Sequence, residues 1–239
     1  MDRDETSEET MGTIDAKKLN YRNETYYQIN SEIGFTGKVV EHYENGQKKK
    51  EVKVKNGKPN GVEITWHSNG QKYYERNYKD GKKHGLSTSW WKNGQQFEKK
   101  YYKNGKPHGT FTVWGEYGQK EWEYNYKDGK QHGLGTQWYK NGQIEREGNY
   151  INGEKHGLWT EWYKNGQKLY ETDYIDGKEH GLGTQWYENG QKEYETNYKD
   201  GEKHGLRTKW DENGQKLYET DYIDGKELTF FQKIINFFK

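Results

Sequence analysis

The sequence of 239 residues has no cysteine, two prolines and two methionines. Disulfides, thiol catalysis and thiolate metal sites are therefore excluded. Leu, Ile, Val and Phe together number 32, about an eighth of the chain, below the level on which ordinary globular cores are built. With one alanine besides, there is too little aliphatic volume to fill a single spherical core. No apolar run approaches membrane-spanning length. The 39 basic and 38 acidic side chains leave a net charge of +1, so the basic excess of a nucleic-acid binder is missing. So is the high net charge that accompanies disorder in aliphatic-poor chains. What the chain does have is aromatic residues, 16% of the total, and they are not scattered.

Asn-Gly recurs with a spacing of 24 at Asn45-Gly46, Asn69-Gly70, Asn93-Gly94, Asn141-Gly142, Asn165-Gly166, Asn189-Gly190 and Asn213-Gly214, and Tyr117-Gly118 fills the gap. Eight repeats follow without insertion from Gly37 to Leu228, opening at Gly37, Gly61, Gly85, Gly109, Gly133, Gly157, Gly181 and Gly205. Tryptophan comes five residues after the opening glycine in seven of them, from Trp66 to Trp210, and tyrosine seventeen after it in seven, from Tyr78 to Tyr222.

Each repeat reads as two short strands. In the sixth, Gly157–Tyr163 and Gln167–Tyr174 flank a hairpin loop with Gly166 expected in the left-handed region. Ile175-Asp-Gly-Lys-Glu-His180 carries an Asp-Gly turn signal to the next repeat. The expected fold is all-β: an elongated single antiparallel meander of eight hairpin repeats, each touching mainly its neighbours. A three-residue loop keeps odd opposite odd, so odd offsets (Leu158, Thr160, Trp162, Tyr170, Thr172, Tyr174) are expected to form an aromatic ladder and even offsets (Glu161, Tyr163, Glu171, Asp173) a mostly charged face.

The unit G-L-x-T-x-W-Y-x-N-G-Q-K-x-Y-E-x-x-Y-x-D-G-K-x-H resembles the variant MORN repeat of bacterial proteins, a group that includes chains of the YwqK antitoxin type. The resemblance spans 37–228. It implies a single antiparallel sheet and a non-enzymatic, interaction-type role.

At the ends, residues 1–12 are acidic and polar and read as a disordered leader, with a second methionine at Met11. Residues 13–36 lack the repeat signature and read as an N-terminal cap hairpin. Phe231, Ile234, Ile235 and Phe238 have helical spacing, which predicts a capping helix over 229–239. No secretory signal is visible. The compartment is left open: cytoplasmic if Met1 is the native start, exported if a signal peptide once preceded it.

The histidine column His84, His108, His132, His156, His180 and His204 invites a metal reading. Members two strands apart lie about 10 Å from each other, too far for one zinc ion. Hydrogen bonding in the turns is the expected role, and no metal or cofactor is expected. The glutamate row Glu51, Glu75, Glu123, Glu147, Glu171, Glu195 and Glu219 recurs in nearly every repeat, unlike a catalytic pair. With no phosphate loop or nucleophile elbow, a non-enzyme is expected.

The functional signal is departure from the pattern. Trp91, Phe97, Phe111, Val113 and Trp159 place large apolar residues at even offsets, and Trp122 adds a further aromatic. These six are the candidate binding residues. The leading reading is a rigid scaffold for a protein partner, of which a toxin bound by an antitoxin or immunity protein is one instance. The alternative is a cell-wall, glycan or choline-binding module, since aromatic hairpins suit sugar rings and quaternary ammonium groups.

Overall fold

The structure is a computed structural model describing residues 12–229. The expected helix over 229–239 lies outside the described residues apart from Thr229, as does the leader apart from Gly12; the described residues contain no α-helix. The chain forms two compact units that divide after Gly118.

The N-terminal unit begins with β1 (Thr13–Asp15), a 3-10 turn (Ala16–Lys18), β2 (Leu19–Arg22) and β3 (Thr25–Gln28). A meander follows: β4 (Gly37–His42), β5 (Lys48–Lys55), β6 (Lys58–Trp66), β7 (Lys72–Lys79), β8 (Lys82–Trp90), β9 (Gln96–Lys103) and β10 (Lys106–Trp114). Each strand from β4 onward pairs antiparallel with the next. The cap is the expected hairpin, β2 with β3, and one element more. Strand β1 runs parallel to β4, aligning Ile14 with Val39, and so covers the edge of the sheet.

The aliphatic residues concentrate here. Leu19, Tyr26 and Phe35 of the cap bury Val39, Val52 and Val54 of the first repeat. Backbone bonds tie the cap to the first turn: Tyr26 N donates to Gly57 O, and Gly57 N to Phe35 O, both at 2.8 Å.

The C-terminal unit is itself a meander of β11 (Lys120–Lys127), β12 (Lys130–Trp138), β13 (Ile144–Ile151), β14 (Glu154–Trp162), β15 (Lys168–Ile175), β16 (Lys178–Trp186), β17 (Lys192–Lys199), β18 (Glu202–Trp210), β19 (Lys216–Ile223) and β20 (Lys226–Glu227). Neighbours again pair antiparallel.

Two turns alternate. The Asn-Gly or Asp-Gly turn between repeats has both residues at positive φ, as at Asn152 (54°) and Gly153 (94°). This is the type I′ geometry that matches strand twist. In the loop inside each repeat, Tyr163 N donates to Gln167 O at 2.8 Å, and Gly166 takes the expected positive φ of 86°. The Asn165 side chain accepts from Gln167 N at 2.9 Å and holds the loop shape.

The face assignment needs correction. Glu161 lies opposite Tyr170, but Trp162 lies opposite Lys168, so Leu169 is an extra residue beside the loop. Such a bulge reverses parity. Trp159 therefore faces the same way as Thr172, and Thr160 the same way as Glu171. One face carries Tyr170, Thr172 and Tyr174 with Trp159 and Glu161 (the tyrosine face). The other carries Leu158, Thr160 and Trp162 with Glu171 and Asp173 (the tryptophan face).

Two measurements test this construction. Removing the whole repeat 133–156 should leave a protein with a cooperative melt, because His132 then meets Gly157 as His156 does now. Removing twelve residues should abolish cooperativity. Secondly, Gly70→Ala and Gly57→Ala both meet positive φ, costing about 1–2 kcal/mol. At Gly57 a Cβ would also stand 2.3 Å from Thr25 Cγ2, whereas nothing lies near Gly70. Chemical denaturation should show the Gly57 variant to be the weaker.

Candidate functional site

A polar network joins successive repeats. In most repeats the side chain six residues after the opening glycine bonds the carbonyl of the next repeat's tryptophan. Tyr43 Oη reaches Trp66 O at 2.8 Å, Tyr139 reaches Trp162 O at 2.7 Å, and Tyr163 reaches Trp186 O at 2.8 Å. Loop asparagines do the same two residues on, as in Asn141 Nδ2 to Lys164 O at 2.9 Å. Burial pushes the Tyr163 hydroxyl above its ordinary value, with Glu193 and Glu188 adding to the shift.

The glutamate row lies on the tryptophan face. Lys48 bonds Glu51 at 2.6 Å, Lys120 bonds Glu123 at 2.7 Å, and the same pairing recurs at Lys192 with Glu195. The lysine also lies over the next repeat's indole, at 5.6 Å for Lys48 on Trp66 and 5.5 Å for Lys120 on Trp138. Thr136 Oγ1 donates to Glu147 at 2.9 Å. These carboxylates are occupied with lysine and threonine, as the row's repetition implies. The histidines lie beside the inter-repeat turns: Asn104 N donates to His84 Nδ1 at 3.5 Å, and His204 Nδ1 lies 3.2 Å from Asp224 Oδ1. Among the described residues no group of three or more metal-binding side chains converges.

The six candidates separate. Trp91 occupies the position that tyrosine holds elsewhere, and its indole N–H donates to Trp114 O at 3.3 Å. Phe97 stacks against it at 4.5 Å, and both are half-buried. Phe111 is half-buried on the tyrosine face beneath Lys100 Nζ at 3.9 Å, while Val113 is buried. In the C-terminal unit Trp159 is 3% exposed and Trp122 is 44% exposed. Trp122 lines a groove of about 570 Å³ with Trp138, Tyr139, Gln137, Glu145 and Lys164.

Trp159 has a structural explanation. It lies opposite Gly148, where a Cβ would come within 2.3 Å of its ring. Its indole N–H donates to Asn149 O at 3.0 Å, and Tyr150 and Tyr174 meet the ring edge-on. The following repeat uses the opposite arrangement, with Gly183 opposite Thr196. A large residue and a glycine have exchanged places. The signal was available in the sequence: Gly148 departs from the pattern at the position that pairs with Trp159.

Two tests follow. Trp159→Ala should lose about 3–5 kcal/mol in a denaturant melt. Gly148→Thr alone should also destabilise, while Gly148→Thr with Trp159→Gly should recover much of the loss by recreating the Thr-Gly-Thr row. The second test uses pH. Burial raises Tyr150 and Tyr174 to about 12, helped by Tyr124 and Glu179 respectively, while the unfolded chain ionises them near pH ~10. Their contribution to stability is complete below pH ~10 and is lost as pH rises to 12. The melting temperature should fall over that interval, less steeply in Tyr150→Phe.

Comparison with known families agrees with this geometry. The MORN repeat variant matches residues 35–56, 59–80, 131–152, 155–176, 179–200 and 203–224, together more than half of the chain. The MORN repeat itself matches 77–96. Residues 97–130 are matched by neither. No curated protein sequence matches the chain. With its type I′ turns, Asn-Gly-Gln loops and tryptophan column all at the 24-residue period, the chain belongs to the MORN repeat variant family.

Proposed function

We propose that the chain is a non-enzymatic scaffold that binds a protein partner through the residues departing from its repeat. An antitoxin or immunity-like role is one instance of this reading. The observation that carries it is the position of the departures. Phe97, Phe111, Val113 and Trp122 all fall in 97–130, the stretch matched by neither repeat family. A regular sheet needs none of them, as the repeats lacking them show. Trp122 is the strongest anchor because it is large, exposed and set in a groove beside Trp138 and Tyr139. Trp91, Phe97 and Phe111 are anchors of the second rank. Val113 and Trp159 are buried, each within its own unit, and serve as structural support rather than as contacts.

A second reading has its own observation. The Trp122 groove joins three aromatic rings to Glu145, a composition that also suits a sugar or a quaternary ammonium group.

Trp122→Glu should leave the melting temperature within a few degrees of the parent. It should weaken capture of the native partner about tenfold or more, as loss of an aromatic anchor does. Retention of the parent on choline or peptidoglycan resin, abolished by Trp122→Glu, would decide for the second reading. Unchanged capture by a double variant, Trp122→Glu with Phe97→Gln, would overturn the proposal.

A further inference from the structure

The N-terminal unit contains a cavity of about 650 Å³ between the cap hairpin and the tyrosine face of β5–β9. Tyr26, Tyr78 and Tyr102 form its aromatic walls. Lys50, Glu63 and Lys83 also line it.

Their charges do not balance. Glu63 is 4% exposed and already has two partners: Lys50 Nζ at 3.5 Å and the Tyr74 hydroxyl, which donates at 2.8 Å. Glu98 is taken by Lys100 at 2.8 Å. That leaves Lys83 and Arg76. Lys83 lies over the Tyr102 ring at 5.0 Å, and Arg76 lies over the Tyr74 ring at 3.7 Å. Neither has a carboxylate within ion-pair distance among the described residues. Both are half-buried, which makes an unmatched charge costly. Burial, followed by repulsion from Arg76 and Lys100, depresses the Lys83 ammonium below its ordinary value. An anion beside it would relieve both effects.

The rim has a different character. Lys58 and Lys82 are offset there by Glu24 and Asp80. The positive excess therefore lies recessed in the cavity, behind an entrance of no net charge. A narrow chain can reach it; a flat anionic bilayer cannot. The tyrosine walls suit the methylene stem of an acidic side chain.

We infer that this cavity takes an acidic segment of a protein partner, seating a carboxylate on Lys83 against Tyr78 and Tyr102, with Arg76 outside the lining adding to the positive field. The inference rests on the protein-binding reading above and places a second contact of that partner on the N-terminal unit.

The test is titration of the full chain with a tetraglutamate peptide, followed by calorimetry and by amide shifts around Lys83. Saturable binding is expected, weakened about tenfold or more by Lys83→Gln and retained by Lys83→Arg. Trp122→Glu should leave it unchanged. Thermal melts establish that each variant is folded, and if Lys83→Gln is not, Arg76→Gln takes its place. Absence of peptide binding would overturn the inference, and partner capture that still depends on Trp122 would leave the functional proposal standing. Equal affinity for inorganic phosphate would overturn the peptide assignment in favour of a free anion. Preference for phosphatidylserine vesicles over the peptide would overturn it in favour of a membrane.

Discussion

One extra residue beside each Asn-Gly-Gln loop governs the architecture. Leu169, between the partners of Glu161 and Trp162, shifts the second strand by one position and turns its side chains over. The same shift recurs at the corresponding place in the other repeats of both units. Without it, tryptophan and tyrosine would share a face. With it, tyrosines pack over threonine and glycine on one side, while tryptophans lie under lysines on the other. The two faces thus acquire different chemistry from a single backbone irregularity.

A chain with so few aliphatics needs cohesion from other sources. Outside the cap, the buried residues of the repeats are largely threonines, such as Thr136, Thr160, Thr184 and Thr208. Cross-strand pairs of this kind contribute a few tenths to about 1 kcal/mol each, so regular repetition matters more than any one contact. The exposed lysine–glutamate pairs add little individually. The tyrosine hydroxyl bonds to the next repeat's carbonyl are more specific, because they tie each loop to its neighbour and satisfy a carbonyl that the ladder leaves open. Only the first repeat is built differently. Val39, Val52 and Val54 give it an apolar surface that the cap covers, so the end of the sheet is closed by a small conventional core.

Regularity also makes exceptions informative. Trp159 and Gly148 are two exceptions that cancel, since one fills the volume that the other vacates. Trp91 substitutes an indole N–H for a tyrosine hydroxyl and keeps the same carbonyl partner. Trp122 has no comparable compensation and remains exposed. Arg76 is an exception in charge rather than volume, because threonine holds its position in the last three repeats, whereas Lys83 shares its place over a tyrosine ring with Lys155 and Lys203. An uncompensated exception within a repeating sheet is where selection for something other than folding leaves its trace.

Much of the fold was legible from Asn-Gly spacing alone. Glycine at positive φ is required at a fixed place in each turn, and that requirement repeats with the backbone, so the hairpins of the repeats could be read in order. What the sequence pattern misassigned was which residues face each other. Strand parity depends on one unpaired residue, and no side chain marks it, because Leu169 and its equivalents Lys49, Tyr73, Phe97 and Glu193 share no common type. The burial of Trp159, the exposure of Trp122, the parallel edge strand β1 and the unmatched charge at Lys83 all follow from pairing across strands. Such pairing is decided by three-dimensional register, which a linear pattern of apolar and polar residues does not record.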